Sequence, residues 1–498
     1  MRLFACLLLA FAAGLVMALG FAPHSFAWAP LLGLAIIFAL SLAAHSWMQV
    51  IALGYGFGLG YAGLGVYWIY YSIADYGGGP LAAVLATSVL IALFAVIPMS
   101  ALILGWLAGR RHGPALAMLA FALAWTLVEW VRSWLLTGAT WLSVGYSQID
   151  TPLASLAPIF GVYGPGLAVA LLAASLGGWL LQPLSLRCWV PLAMGLVAAL
   201  GGLLLERDWS APSGEPISVA LIQGNIEQAR KWDPDERSAI LAAYFRQSRE
   251  AFGNDLIVWP ETAVPVVYQQ AQNGLERLAN DAAKAGSQVI AGAPVAEPAG
   301  AGIFNSVAVL GEPSAFYHKR HLVPFGEYVP LRDVAGGILD FVGTPLGDFS
   351  AGSSAAPLQA AGHQIGVSIC YEITFGAEIA DALPVAEILL NVSNDAWFGR
   401  SSAPWQHLEM ARMRALEMAR PLLRATNTGV SAIIDSRGDV ITTTALFTTT
   451  QLQHEIVPRQ GETPYMRWRD WPIAGVSSIG WLAILLTGRR GYRLFRDV

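Results

Sequence analysis

Three short segments place a carboxylate, an amine and a thiol within one charged region of the chain. The segments are Val258-Trp259-Pro260-Glu261, Tyr317-His318-Lys319-Arg320 and Ser368-Ile369-Cys370-Tyr371-Glu372. A cysteine attacks a carbonyl as its thiolate, so a catalytic thiol needs a base for its proton and a cation for the anions that form. These residue types predict Cys370 as nucleophile, Glu261 as general base and Lys319 as the cation that stabilises the oxyanion.

Each of the three residues also has an ordinary structural interpretation. Cys370 could be a small buried hydrophobe, which is common for free cysteines. Glu261 could cap a helix after Pro260, and Lys319 could be one cation in the basic cluster at 318–321. Because all three catalytic roles are filled together, the sequence favours catalysis over these separate alternatives.

The elements around these residues alternate between strands and helices. Glu261 and Cys370 each follow or end a β-prone run, and α/β folds hold reacting groups in the loops after sheet strands. The β-prone runs are 217–223, 256–259, 288–291, 305–310, 364–369, 388–391 and 430–434, and the helical runs are 234–252, 273–285 and 405–420. This pattern predicts an α/β domain with a mixed sheet and helices packed outside it.

Hydrophobic sequence flanks the charged region. Only 13% of the 498 residues are charged and the mean hydropathy is +0.53, whereas ordinary soluble proteins carry about 25% charged residues. Apolar stretches lie at 3–22, 26–44, 50–71, 81–107, 115–136, 153–181, 189–205 and 472–487. Most have the roughly 17 to 25 residues that a membrane-spanning helix needs. We therefore expect a polytopic α-helical membrane protein of eight spans, with seven spans in 1–206, an exported α/β domain in 207–470, and the eighth span and a cytoplasmic tail in 471–498.

Arginine placement predicts the orientation of these spans. The arginines at junctions assigned to one side are Arg2, Arg110, Arg111, Arg187, Arg489, Arg490, Arg493 and Arg496. Since positive residues favour the cytoplasmic side, region 217–469 faces outward, where no ATP is available. The first stretch could instead be a cleaved signal peptide, but it lacks a clear small-x-small cleavage site followed by a polar start.

Composition and motifs argue against several kinds of cofactor and partner. Of the three cysteines, Cys370 is alone in region 217–469, while Cys6 and Cys188 lie in or beside apolar stretches, so no disulfide framework is expected. The net charge of −5 and the lack of a basic stripe argue against a nucleic-acid partner. The sequence contains no metal-ligand cluster, phosphate-binding glycine loop or nucleotide motif, so we predict no cofactor and no metal site.

One ionisable pair lies inside an apolar stretch. Glu129 and Arg132 are spaced i, i+3 on a predicted helix, where they can meet on one face and lower each other's cost of burial. The pair is either a structural ion pair or part of a lining for a lipid headgroup path. Nearby tryptophans fit the second interpretation, but they also fit an interfacial belt.

The chain resembles a known superfamily. The order Glu261, Lys319, Cys370, with Cys-Tyr-Glu after a strand, is similar to that of the nitrilase superfamily, whose domain is an αββα sandwich. Longer strings resemble the apolipoprotein N-acyltransferase family over nearly the whole chain. The strings are Asn225-Ile226-Glu227-Gln228 running to Lys231-Trp232-Asp233, His-Leu-Val-Pro-Phe-Gly-Glu-Tyr at 321–328, Asn-Val-Ser-Asn-Asp-Ala-Trp-Phe-Gly at 391–399, and Pro404-Trp405-Gln406-His407.

The resemblance implies a function. Members of this family transfer an acyl chain from a phospholipid to the α-amino group of S-diacylglyceryl-cysteine in apolipoproteins, through a cysteine thioester. It also implies a multi-pass protein of the cell inner membrane with its catalytic domain on the periplasmic side. A membrane-tethered nitrilase-like amidase is the alternative, in which water accepts the acyl group. A scaffold or transporter would keep the spans but would have no use for the three reactive residues.

The resemblance also implies roles for further residues. Glu327 would orient Lys319 or Glu261, and Glu372 would hold the loop after the nucleophile. The supporting residues are therefore Glu327, Tyr371 and Glu372, and the aromatic residues expected to shape an acyl or glyceryl pocket are Trp232, Trp397 and Phe398.

Overall fold

The chain forms two compact units. The structure is a computed structural model that describes residues 2–75, 79–181, 189–204, 208–297, 300, 302–311, 313–328 and 349–488. The first unit comprises Met1–Tyr70, Ala83–Arg207 and Arg467–Val498, and the second comprises Tyr71–Ala82 and Asp208–Met466. Segment Tyr71–Ala82 thus joins the unit that carries the charged region, although the sequence places it among the apolar stretches. Arg187, Cys188 and the predicted arginines after residue 488 lie outside the described residues.

Helices form most of the first unit and flank the sheets of the second. In chain order they are α1 (Arg2–Ala18), α2 (Trp28–Leu42), α3 (Trp47–Gly65), α4 (Ile69–Ile73), α5 (Gly79–Phe94), α6 (Val96–Gly109), α7 (Pro114–Arg132), α8 (Ala157–Phe160), α9 (Tyr163–Leu181), α10 (Trp189–Leu204), α11 (Gln228–Lys231), α12 (Arg237–Glu250), α13 (Tyr268–Lys284), α14 (Gly376–Ile379), α15 (Ala403–Met418), α16 (Pro464–Trp468) and α17 (Trp471–Thr487). A helix therefore overlaps each of the eight predicted apolar stretches.

The helices differ in length. Within the described part of the chain, three helical stretches are long and apolar enough to cross a membrane, namely Gly79–Gly109, Pro114–Arg132 and Tyr163–Leu181. Shorter apolar helices lie at Leu3–Ala18, Trp28–Leu42, Leu192–Leu204 and Trp471–Thr487. The apolar helical architecture agrees with a membrane protein, while the count of eight spans stays a prediction.

Several predicted spans are interrupted in the structure. The stretch at 50–71 contains the end of α3 at Gly65 and the start of α4 at Ile69. The stretch at 153–181 is not one helix, because Gly161 has a φ of +64° that ends α8 before α9 begins. The stretch at 115–136 ends its helix at Arg132, and Leu136 and Thr137 both have positive φ angles. Hydrophobicity continues through these breaks, so apolar composition alone could not reveal them.

Glycines let α1 and α3 pack closely. A Cβ atom at Gly14 would lie 2.0 Å from Phe57 O, and one at Gly60 would lie 2.2 Å from Phe11 O. A larger residue at either position would force the two backbones apart. Close backbone approach at small residues is the usual packing of helices in membranes.

Glu129 and Arg132 hold a loop to the end of α7. The two side chains form an ion pair at 3.7 Å, and both are buried. Arg132 donates hydrogen bonds to Trp141 O at 2.8 Å and Ser143 Oγ at 3.0 Å, and Glu129 accepts one from the Val144 N–H at 2.9 Å. These bonds to a loop of the same unit support the interpretation as a structural ion pair.

The second unit is built around two sheets. Its strands are β1 (Ser210–Pro212), β2 (Ile217–Gln223), β3 (Leu256–Val258), β4 (Gln288–Ala296), β5 (Ile303–Val309), β6 (Ala315–His318), β7 (Phe349–Ser350), β8 (Leu358–Ala360), β9 (His363–Ile369), β10 (Ile388–Ser393), β11 (Leu422–Thr426), β12 (Ala432–Ile434), β13 (Val440–Thr443), β14 (Thr450–Ile456) and β15 (Arg459–Gly461). Among the described residues, one sheet has the order β14-β2-β3-β4-β5-β6 with β7 beside β5, and the other has the order β13-β12-β11-β10-β9-β8. Strands β1 and β15 form a small separate pair.

Strand direction decides which residues meet at a sheet edge. Strands β2, β3 and β4 are parallel, as are β9, β10 and β11. Because β5 is antiparallel to β4 and β6 is antiparallel to β5, β6 runs in the same direction as β3. Residues that follow β3 and β6 therefore share one sheet edge, and residues that follow β9 and β10 share an edge of the other sheet.

The two sheets and their helices make four layers. Leu221 of the first sheet and Ile369 of the second belong to one buried apolar core between the sheets. On the outer face of the first sheet, Leu275 of α13 packs in a core with Ile257. On the outer face of the second sheet, Leu408 of α15 belongs to a third core. The result is the αββα arrangement that the resemblance implies.

The sequence pattern missed several strands. The seven predicted runs correspond to strands, with ends that differ by a few residues, but no run was predicted for β1, β6, β7, β8, β11, β13, β14 or β15. Strand β11 carries Arg424, a fully buried cation that interrupts the apolar pattern. Strand β13 has an exposed face, so its pattern lacks a buried apolar run.

Gly292 on β4 lies against the turn that carries Glu261. A Cβ atom there would lie 2.3 Å from Pro260 O and 2.8 Å from Glu261 Cα. We expect Gly292→Ala to lower stability by about 1–3 kcal/mol, the usual cost of overpacking, and to lower the thermal unfolding midpoint of the detergent-solubilised protein. Gly274→Ala is the matched control, because the nearest atom to its Cβ is 3.5 Å away. An unchanged midpoint in Gly292→Ala would contradict this packing.

Candidate active site

The structure brings Glu261, Lys319 and Cys370 together between the two sheets of the second unit. Glu261 follows β3, Lys319 follows β6 and Cys370 follows β9. Lys319 Nζ lies 3.7 Å from Glu261 Oε1. The Cys370 thiol is close enough for both charges to act on its pKa. Three residues from distant parts of the sequence thus form one site.

Lys319 is the centre of a buried charge cluster. Its side chain is 1% exposed, and Nζ donates a hydrogen bond to Glu327 Oε1 at 2.8 Å. Burial lowers the pKa of Lys319, but Glu327, Glu261 and Cys370 outweigh it and hold that pKa well above the usual range of a lysine. The neighbouring acids therefore favour the charged form of Lys319.

Two asparagines hold the Glu261 carboxylate. Asn305 on β5 donates from Nδ2 to Glu261 Oε1 at 2.7 Å and to Glu327 Oε1 at 2.9 Å. The backbone N–H of Asn394, which follows β10, donates to Glu261 Oε2 at 2.9 Å. A carboxylate offers about four lone-pair sites, so these bonds fix its orientation and leave it able to accept a proton.

Cys370 combines a strained backbone with a protonated thiol. Its φ is +51°, in the left-handed region that residues with a side chain rarely adopt. Burial and the Glu261 carboxylate raise the pKa of the Cys370 thiol, while Lys319 and a hydrogen bond from Ser393 lower it by less. These surroundings favour the protonated thiol, so a nucleophilic role for Cys370 would require a base.

A buried polar network holds the Cys370 carbonyl. His407 Nε2 donates to Cys370 O at 3.1 Å, and Asn391 Nδ2 donates to the same oxygen at 3.4 Å. Arg424 donates to His407 Nδ1 at 3.0 Å and to Asp395 Oδ2 at 2.7 Å. Burial and Arg424 lower the pKa of His407, which favours the neutral ring. The network supports the unusual backbone conformation of Cys370.

Glu372 accepts hydrogen bonds from the backbone around the site. Its oxygens accept from the N–H groups of Ile369 at 2.7 Å, Arg320 at 2.6 Å and His321 at 3.1 Å. The Tyr317 hydroxyl also donates to it at 3.0 Å. Glu372 thus ties the loop after β6 to the turn after β9, and its contacts differ in kind from those of Glu261.

The resemblance implies roles for four aromatic residues, which are close in sequence to the polar residues of the site. They are Trp232, Tyr371, Trp397 and Phe398. Tyr371 meets the ring of Phe375 edge-on at 5.0 Å. Trp232 follows α11, and its Nε1 is buried with no hydrogen-bond partner in the described part of the chain.

The other two aromatic residues follow β10. Trp397 O accepts a hydrogen bond from Ser72 Oγ at 2.7 Å, so segment Tyr71–Ala82 contacts this turn. The Phe398 ring is edge-on to His407 at 6.0 Å. Their positions agree with a wall of the site, whereas their contact with substrate stays a prediction.

Several residues of the site have no role in the predictions made from the sequence. Asn305 and Arg424 interrupt apolar strands, and a polar residue within a buried strand is the signal that could have revealed them. Lys231, Asn394 and His407 occur in the quoted strings, but their partners are remote in sequence. In the described residues, no three His, Cys, Asp or Glu side chains gather as metal ligands.

The chain is similar to two families of known proteins. Residues 218–465 match the carbon-nitrogen hydrolase family, and residues 13–175 match the apolipoprotein N-acyltransferase N-terminal domain. The apolipoprotein N-acyltransferase of Methylococcus capsulatus is 42% identical over 491 residues, covering 97% of this chain and 96% of that protein. That of Nitrosomonas europaea is 42% identical over 494 residues, covering 97% and 98%. That of Pseudomonas syringae is 42% identical over 489 residues, covering 95% and 96%.

Two substitutions should move the ionisation of Cys370 in opposite directions. Lys319→Met removes a cation that lowers the thiol pKa, and Glu261→Gln removes a carboxylate that raises it. The pH dependence of iodoacetamide alkylation at Cys370, followed by peptide mass spectrometry, should shift up in the first variant and down in the second. Each shift should be on the order of one pH unit. A free cysteine peptide is the reference, and shifts of the same sign would contradict the charge arrangement.

Proposed function

This chain belongs to the apolipoprotein N-acyltransferase family and is an acyltransferase of lipoprotein maturation, and we propose that it transfers the acyl chain through a thioester on Cys370. The acyl donor is a phospholipid, and the acceptor is the α-amino group of S-diacylglyceryl-cysteine in an apolipoprotein. The observation that supports the proposal most directly is the arrangement of one thiol, one held carboxylate and one buried cation.

In the first step Cys370 attacks the phospholipid ester. Glu261 takes the thiol proton as the S–C bond forms, because the resting thiol is protonated. Lys319, with the backbone N–H after Cys370, stabilises the tetrahedral oxyanion. The C–O bond then breaks, Glu261 returns the proton to the leaving alkoxide, and a lysophospholipid departs. The products are an acyl thioester on Cys370 and a neutral alcohol.

In the second step the lipoprotein amine attacks the thioester. Glu261 accepts the proton that the amine loses as the C–N bond forms, and the Cys370 thiolate leaves and is reprotonated. A thioester is reactive enough to acylate an amine without ATP. Because one cysteine serves both substrates, donor and acceptor react in turn.

The membrane setting follows from the apolar helices. We infer eight spans in the cell inner membrane, with the second unit on the periplasmic side. Arg110 and Arg111, which follow α6, carry the positive charge of one cytoplasmic junction. A location outside the cytoplasm agrees with chemistry that needs no nucleotide.

Replacing the nucleophile should abolish both half-reactions. We expect Cys370→Ala to lose the acyl adduct, measured by intact-protein mass spectrometry after incubation with phospholipid, and to lose N-acylation of a diacylated lipopeptide. Cys6→Ala is the control, since Cys6 lies in α1, and it should keep both activities. Turnover in Cys370→Ala above background would remove Cys370 from its role. An adduct that water releases as fast as the lipopeptide amine would favour the amidase alternative.

Fusions should report the predicted topology. Alkaline phosphatase fused after Arg207 should be active, because seven predicted spans precede that point and place it outside. Green fluorescent protein fused after Arg496 should fluoresce in the cytoplasm, because eight spans precede it. Swapping the two reporters is the control, and both should then be silent. Two fusion points that report the same side would contradict the span count.

A further inference from the structure

A second buried lysine lies beside the base. Lys231, at the end of α11, is 1% exposed. Its Nζ donates hydrogen bonds to Asn394 Oδ1 at 2.9 Å, Thr262 Oγ1 at 3.2 Å and Glu261 O at 3.5 Å. A protonated lysine has three donors, so its hydrogen bonds are fully matched by three neutral oxygens. Unlike Lys319, it has no carboxylate within ion-pair distance in the described structure.

The three acceptors belong to the two segments that hold the base. Thr262 and Glu261 O lie in the turn after β3, where Thr262 has a φ of +46°. Asn394 follows β10 of the other sheet, and its backbone N–H donates to Glu261 Oε2. Lys231 therefore connects the turn that carries Glu261 with the peptide that fixes its carboxylate, across the two sheets.

The charges that face Lys231 are few. Glu261 acts on it from the turn after β3 and favours the charged form. Lys319 pairs with the same Glu261 carboxylate from the loop after β6. Asp395, next to Asn394, directs its carboxylate to Arg424 and His407. Glu261 is thus the charged group with the main electrostatic effect on Lys231.

We propose that Lys231 is a positioning residue whose ammonium group, by bonding Asn394, Thr262 and the Glu261 carbonyl at once, holds Glu261 in its proton-accepting orientation. The inference deepens the proposed function, because it rests on Glu261 as the base there. Lys231 does not touch the reacting atoms, and it acts through Glu261 and Asn394.

The proposal predicts a pH dependence with a definite sign. Burial lowers the pKa of Lys231 to about 8, against the opposing effect of Glu261. Below that pH the ammonium has three donors for three acceptors. Above it the neutral amine has two donors, so one acceptor loses its partner and Glu261 loses a nearby positive charge. Acylation of Cys370 should therefore fall as pH rises through about 8.

The test uses p-nitrophenyl butyrate and the full chain in detergent. The burst of p-nitrophenolate reports acylation of Cys370 without phospholipid or lipopeptide, and Cys370→Ala supplies the background from pH 6 to 10. We expect wild-type acylation to decline above about pH 8. Lys231→Met should acylate about 10- to 100-fold more slowly at pH 7, a loss typical of a misplaced catalytic group, and should lack that decline.

Two further variants keep the test decisive. Thr262→Val removes one acceptor of the charged Lys231 side chain, so acylation of Cys370 should decline at a lower pH in this variant than in wild type. This measurement still tests the proposal if Lys231→Met fails to fold. Lys284→Met is the matched control, because the Lys284 side chain is 78% exposed, and it should behave as wild type. Asn427 Nδ2 also donates to Asn394 Oδ1 at 2.9 Å, which leaves Asn394 partnered in Lys231→Met.

The outcomes separate this inference from the proposed function. A wild-type rate and an unchanged alkaline decline in Lys231→Met would overturn it, as would a wild-type profile that stays flat from pH 7 to 9.5. Incubation with phospholipid in parallel reports the acyl adduct on Cys370. If that adduct never forms while the burst still depends on Lys231, the proposed donor is wrong and the positioning role stands.

Discussion

The geometry of the site depends on one buried ammonium group between two carboxylates. Removing charges from water is costly, and a buried charge persists where opposite charges and hydrogen bonds offset that cost. Lys319 meets this condition through Glu327 and Glu261, while Asn305 donates to both acids. The burial of each charged group in this cluster depends on its partners. The cluster therefore fixes the relative positions of β3, β5, β6 and the 322–328 loop.

The balance of charge in this cluster decides how the thiol works. Burial raises the pKa of the Cys370 thiol most, the Glu261 and Asp395 carboxylates raise it further, and Lys319 lowers it by less. A preformed ion pair would keep the thiol ionised at rest. Under the proposed mechanism, deprotonation by Glu261 accompanies the attack, so the orientation of Glu261 controls the reaction.

That orientation requires groups from both sheets. Asn394 and Lys231 connect Glu261, which follows β3 of the first sheet, to the loop after β10 of the second. Arg424 and His407, both fully buried, hold the Cys370 carbonyl from strand β11 and helix α15. Unpartnered buried polar groups are costly, so losing one of these bonds would leave a costly buried group. The hydrogen bonds that hold Glu261 and Cys370 thus come from both sheets.

Local sequence determined which chemistry the chain could perform and roughly where its elements lie. The thiol, amine and carboxylate of Cys370, Lys319 and Glu261 follow strands, and apolar stretches predict helices, because both patterns depend on near neighbours. Near neighbours in sequence did not predict which side chains pair with one another. That Glu327 pairs with Lys319, and that Lys231 donates to the Glu261 carbonyl thirty residues away in sequence, depends on strands that meet only after the sheets pack. Helix breaks such as that at Gly161 lie in uniformly apolar sequence. Backbone conformation and long-range polar contacts are set by tertiary packing, which no local pattern encodes.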